Sequence, residues 1–132
     1  MKGFNAGVMR ILVVEDEATI CELCLRTLVN EGFEVDIASN GQLAQDMMGG
    51  KDYDLCLIDI KMSIMNGKQL YQCIKDRYPK LIKRVIFASG DVVNNDTQHF
   101  LEQSGRPFLS KPFTTKELIT AVREAFKPTA AK

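Results

Sequence analysis

A doubly wound α/β domain, with a five-stranded parallel sheet in the order 2-1-3-4-5, is the fold class this sequence predicts. Three observations carry it. Short apolar runs alternate five times with segments of helical periodicity, a (βα)5 order that calls for right-handed crossovers and helices on both faces of one sheet. The runs Ile11–Val14, Leu55–Ile58 and Val85–Ala88 are uninterrupted, as in strands buried on both faces. The second run, Phe33–Ala38, alternates, with Glu34 and Asp36 facing away from Val35 and Ile37, which suits an edge strand and selects that strand order.

Each element has a local reason. Met9–Val14 is the first strand. Ile20, Leu23, Cys24, Thr27 and Leu28 then follow helical spacing, and Gly32 ends that helix. After the Phe33–Ala38 strand, Asn40 caps a helix with Leu43, Ala44, Met47 and Met48 on one face, stopped by Gly49-Gly50. Leu55–Asp59 is the third strand. Gly67 opens a third helix reaching about Arg77, with Leu70 and Ile74 inward, and Pro79 forbids its continuation. Arg84–Ala88 is the fourth strand. A fourth helix spans about Asp96–Gln103 before Ser104-Gly105, and Phe108–Ser110 is a short fifth strand. Thr114 and Glu117 form a capping box for a last helix to about Phe126, with Leu118, Val122 and Ala125 inward. The expected organisation is a tail over 1–8, one domain over 9–126 and a frayed tail over 127–132.

The bulk numbers remove several function classes. A chain of 132 residues suits one domain. Seventeen basic and seventeen acidic residues give no global drive toward nucleic acid or an anionic membrane. No apolar run approaches the ~20 residues that span a bilayer, and the first residues lack the apolar stretch of a secretory signal. A cytoplasmic protein is expected. Cys21 and Cys24 form a C-x-x-C, but it falls inside a helix pattern rather than directly after a strand. With Cys56 in a strand run, packing is the better reading than redox or metal chemistry. His99 is the sole histidine and is expected as an exposed helix residue.

The polar residues that end the strands carry the chemistry. Glu15 and Asp16 follow the first strand, Asp59 ends the third, Ser89 follows the fourth run, and Lys111 follows the fifth. Parallel strands bring all of them to the carboxyl edge of one sheet, where ligands bind in open α/β folds. Glu15, Asp16 and Asp59 flank the switch point between strands one and three. Taken singly each has a plain explanation: acids suit a helix N-terminus, and a strand-end Asp or Ser suits a turn. Gathered, converging carboxylates repel unless a cation joins them, and Mg²⁺ suits such oxygen donors. Asp59 is then a candidate nucleophile toward phosphorus. Lys111 would neutralise the equatorial oxygens and Ser89 would donate a hydrogen bond.

Five blocks resemble the receiver domain of two-component response regulators, a flavodoxin-like fold. They are Ile11-Leu12-Val13-Val14-Glu15-Asp16-Glu17, Asp54-Leu55-Cys56-Leu57-Ile58-Asp59, Met62-Ser63-Ile64-Met65-Asn66-Gly67, Val85-Ile86-Phe87-Ala88-Ser89-Gly90 and Lys111-Pro112-Phe113. The resemblance covers residues 9–126. It implies Asp59 as phosphoacceptor, Asp16 as a direct Mg²⁺ ligand, and Glu15 as a ligand directly or through water. It also implies the backbone carbonyl of Lys61 as a further ligand, Ser89 as switch hydroxyl, Lys111 as partner of Asp59 and then of the phosphate, Phe108 at the switch aromatic, and a cis Lys111–Pro112 bond. Implied partners are a sensor histidine kinase or a histidine phosphotransfer protein. Self-association into a homodimer is compatible with the resemblance. Three positions depart from the family pattern: Ser63 stands for a proline, Asn66 for an acid, and Phe108 lacks the hydroxyl of a tyrosine.

Other readings fit less well. A haloacid-dehalogenase-like, Mg-dependent aspartate-nucleophile phosphatase needs a second aspartate two residues after the first, where this chain has Lys61. A phosphorylation-independent interaction domain has no use for the full set of acids, Ser and Lys. A nucleotide binder of similar fold would want glycine in the first loop, which here reads Glu15-Asp16-Glu17-Ala18-Thr19. The expected role is a phosphoacceptor that catalyses only its own phosphorylation and dephosphorylation, so not an enzyme in the usual sense. Either a single-domain regulator or a piece of a hybrid histidine kinase is consistent with this. Gly105-Arg106-Pro107 resembles receivers of such hybrids.

Overall fold

The computed structural model describes residues 8–62, 64–90 and 94–127. Strands β1 (Arg10–Val14), β2 (Glu34–Ala38), β3 (Leu55–Asp59), β4 (Val85–Ser89) and β5 (Phe108–Ser110) alternate with helices α1 (Ala18–Asn30), α2 (Gly41–Gly50), α3 (Gly67–Arg77), α4 (Asn95–Ser104) and α5 (Thr115–Phe126). All pairings are parallel, and the sheet order is β2-β1-β3-β4-β5, as the sequence predicts.

Central strands β1, β3 and β4 are buried almost throughout, while β2 is half-exposed at its edge. The sheet separates two apolar layers. Leu12, Val14, Ile58, Leu70, Ile74 and Phe87 pack in one, toward α2, α3 and α4. Ile11, Val13, Leu28, Leu57, Leu118 and Val122 pack in the other, toward α1 and α5. Burying a side chain of this size contributes roughly 1.5–3 kcal/mol, so strands lined on both faces dominate the stability.

Local signals act where expected. Asn40 accepts from the N–H of Leu43 at 2.8 Å. Thr114 and Glu117 exchange both capping-box bonds, at 3.1 and 2.8 Å. Gly105 closes α4 at φ +67°, a left-handed position that suits glycine. Asn66 caps α3 and exchanges bonds with Gln69.

Some boundaries differ from expectation. Leu43 is exposed rather than on the buried face of α2, because Ala44 and Met48 fill that face. Both glycines of Gly49-Gly50 lie inside α2. Residues Leu81–Arg84 form a 3-10 turn, which moves the start of β4 to Val85. Ring contacts join three elements: Tyr71 of α3, Phe87 of β4 and Phe100 of α4 meet edge to face, with centroids 5.1–5.7 Å apart. All four cysteines are free, with Cys24 and Cys56 buried, and His99 is exposed on α4. No described helix is long and apolar enough to cross a membrane.

Candidate functional site

The polar strand ends meet as the topology requires. β3 lies between β1 and β4, so the Asp59 carboxylate emerges beside the loop after Val14 on one side and Ser89 on the other. Glu15 is held by its own N–H, which donates to the Ala38 carbonyl at 2.9 Å, and its carbonyl accepts from the Cys21 thiol at 3.3 Å. The Glu15 carboxylate turns back and accepts the N–H of Glu17 at 3.1 Å. Asp59 accepts the N–H of Lys61 at 3.2 Å, a short turn that fixes one of its oxygens.

Lys111 organises this group. Its Nζ lies 2.9 and 3.1 Å from the two oxygens of Glu15, 2.9 Å from Glu17 Oε1 and 3.2 Å from Asp59 Oδ2. Its backbone N–H donates to the Ser89 carbonyl at 2.9 Å, which ties β5 to the end of β4. The Lys111–Pro112 bond is cis. The side chains of Lys111, Glu15 and Asp59 are only 11, 3 and 5% exposed. Burial raises the pKa of Glu15 and of Asp59 above the ordinary carboxylate values, against the opposing pull of Lys111. Burial lowers that of Lys111, but its bonds to Glu17 and Glu15 outweigh this and raise it.

One ammonium among this many carboxylates leaves an excess of negative charge in a place with little water. Glu15, Asp16 and Asp59 each offer a carboxylate oxygen within 4.8 Å of the others. An all-oxygen carboxylate set fits a hard divalent cation such as Mg²⁺ and disfavours softer metals. Asp16 is exposed at the mouth of the cluster, where bound water and a phosphoryl oxygen would have room.

The fold thus brings Glu15, Asp16, Asp59, Ser89 and Lys111 to one sheet edge. Glu17 joins them through Lys111, although the sequence marks it only as the third acid of a run. No spacing in the sequence announces this contact, because it depends on where the long Lys111 side chain reaches. Ser89 is buried at the end of β4. Phe108 stands apart, 47% exposed on the outer face of β5. Ser63 lies outside the described residues.

The model of the response regulator receiver domain matches residues 11–123. The chain belongs to the response regulator receiver domain family. Among its relatives, the transcriptional regulatory protein CutR of Streptomyces coelicolor is 33% identical over 115 residues, covering 87% of this chain and 52% of CutR. The transcriptional regulatory protein CusR of Escherichia coli is 30% identical over 123 residues, 93% of this chain and 53% of CusR. The receiver chain therefore spans about half the length of the curated relatives it matches. A CheY-like receiver from Methanospirillum hungatei superposes with a TM-score of 0.81 at 25% identity, over 89% of this chain and 93% of that one. The fold is also that of the Vibrio cholerae chemotaxis protein CheY4, with a TM-score of 0.82 at 19% identity, over 91% of this chain and all of CheY4.

Proposed function

We propose that residues 9–126 form a receiver that accepts a phosphoryl group on Asp59 from a phosphohistidine. The donor would be a sensor histidine kinase or a histidine phosphotransfer protein, and the setting the cytoplasm. The observation that carries this reading is the Lys111 Nζ to Asp59 contact of 3.2 Å beside the Glu15, Asp16 and Asp59 cluster.

In the proposed transfer an Asp59 oxygen forms a bond to phosphorus while the phosphorus–nitrogen bond to histidine breaks. Lys111 already neutralises Asp59 and has only to follow the transferred oxygens. Glu15, Asp16, Asp59 and the Lys61 carbonyl would hold Mg²⁺. When bound, Mg²⁺ offsets the clustered negative charge and that of the phosphoryl group. As Lys111 follows the phosphoryl oxygens, Glu15 and Glu17 would lose part of that ammonium, a local change of charge that Ser89 and Phe108 would pass to β5 and α4 as the output. Water would return Asp59 to the carboxylate. Asp59 has Lys61 rather than an acid two residues on, which supports a slow self-reaction over a phosphatase turning over foreign substrates.

The test is exposure to Mg²⁺ and acetyl phosphate, read by intact mass. One phosphoryl adduct is expected on the parent and none on Asp59→Asn. An unchanged adduct on Asp59→Asn would overturn the assignment.

A further inference from the structure

A second region of concentrated charge lies at the other end of the sheet. A groove of about 930 Å³ opens where β3 and β4 begin, between the C-terminal ends of α2, α3 and α5. Its size falls within the range of small-molecule sites. Five cations line it, Lys51, Lys80, Lys83, Arg84 and Lys127, against two acids, Asp52 and Asp54, in a chain whose net charge is zero. Basic residues at helix C-termini commonly offset the macrodipole, but the last turn of α3 already carries Lys75 and Arg77 for that purpose.

The partners of these cations separate them into two sets. Lys51 is bound to Asp36 at 3.0 Å, Lys127 to Glu124 at 2.9 Å, and Arg84 lies 5.1 Å from the centre of the Phe126 ring. Lys80 and Lys83 are exposed and have no acidic partner among the described residues. One of the two acids is occupied, since Asp54 accepts the N–H of Arg10 at 2.8 Å. Between the cations lie the half-buried rings of Tyr53 and Tyr78, with Met48 and Leu81 buried beneath them. Uncommitted ammonium groups beside tyrosine rings suit a ligand that carries anionic charge at one end and a flat ring at the other.

We propose that this groove binds a nucleoside di- or triphosphate, with Lys80 and Lys83 on the phosphates and Tyr78 against the base. The site is separate from the acidic edge and does not depend on phosphorylation of Asp59.

The test uses isotope-labelled protein with EDTA present, which keeps metal-bound phosphate away from the acidic edge. It is titrated separately with ADP, adenosine and sodium pyrophosphate. ADP is expected to move the amides of Tyr78, Lys80, Lys83 and Arg84 saturably, with the two half-ligands at least tenfold weaker. The double variant Lys80→Glu, Lys83→Glu should weaken ADP at least tenfold and keep acetyl phosphate labelling of Asp59 at the parent's rate. Tyr78→Leu, which keeps an apolar side chain in the wall, should weaken ADP and leave pyrophosphate unchanged. Shifts confined to Glu15, Asp16 and Asp59 would overturn the proposal. So would no saturable response, an equal response to pyrophosphate alone, or binding of an acidic peptide in place of ADP.

Discussion

Gly67 sits against the backbone of Asp59. A Cβ at position 67 would lie 2.7 Å from the Asp59 carbonyl oxygen and 2.7 Å from the Ile60 Cα. Both obstacles are main chain, so neither can swing aside. The Gly67 N–H also donates to the Ile60 carbonyl at 3.0 Å, which fastens the start of α3 to the end of β3.

Gly67→Ala is therefore expected to cost roughly 1–3 kcal/mol, the range for overpacking a close contact. It should also slow phosphorylation by acetyl phosphate, because relief of the clash displaces Asp59. Denaturant melts and intact-mass time courses check both. A variant with parent stability and parent rate would show that the β3–α3 junction yields freely.

Asp16→Ala should lose Mg²⁺ affinity and phosphorylation together while raising the metal-free unfolding midpoint. Asp16 adds a negative charge to a cluster that Lys111 only partly neutralises, and its removal relieves like-charge repulsion. Mg²⁺ should then shift the midpoint of the parent upward and that of the variant little. A metal-free midpoint clearly below the parent's would contradict the repulsion argument.

Lys111→Ala and Ser89→Ala are expected to phosphorylate slowly but to lose the response of β5. In the proposed transfer Lys111 would carry the charge that senses the phosphate, and its N–H joins β5 to the Ser89 carbonyl. The check is the set of chemical-shift changes near Phe108 on addition of beryllofluoride. Changes equal to the parent's in both variants would count against this coupling. Lys111→Ala also leaves buried carboxylates unpaired, a loss of about 3–5 kcal/mol for a fully buried pair and less here. Mg²⁺ should recover part of it.

Asp36 supplies a prediction in pH. The Tyr53 hydroxyl donates to Asp36 Oδ2 at 2.6 Å and holds its carboxyl below the ordinary value, helped by Lys51 and opposed by partial burial. A folded-state pKa below the unfolded one contributes stability that is present above the unfolded pKa, about 3.9, and is lost as pH falls through the folded value. Tyr53→Phe should thus be destabilised by about 1 kcal/mol at neutral pH, a figure reduced for the partial exposure of Asp36. The gap between variant and parent should narrow below about pH 4. A gap that stays constant into acid would assign the loss to packing of the ring.

The sheet was legible in the sequence because burial on both faces writes itself as unbroken apolar runs. Ile11–Val14 and Leu55–Ile58 are too short for buried helices and end in polar residues, which marks them as strands. The edge position of β2 followed from a single alternating run. The face of α2 was harder, since Leu43 and Ala44 are adjacent and periodicity cannot choose between them; Ala44 lies inside because a small residue fits that layer. The 3-10 turn Leu81–Arg84 has no propensity signal of its own. Collection of the acids, Ser89 and Lys111 at one edge was legible because strand polarity alone places strand ends. The bond from Lys111 to Glu17 was not, because it depends on how a long side chain is shared among three carboxylates rather than on any spacing.

The cluster of Tyr71, Phe87 and Phe100 has a spectroscopic consequence. Phe87 precedes Ser89 by two residues on β4, while the other two rings ride on α3 and α4. Any tilt of α4 relative to the sheet must alter the ring currents on all three and the surroundings of the Tyr71 phenol. The chain has no tryptophan and three tyrosines, so tyrosine emission is not swamped, and the part of it that comes from Tyr71 becomes a label-free optical readout of α4.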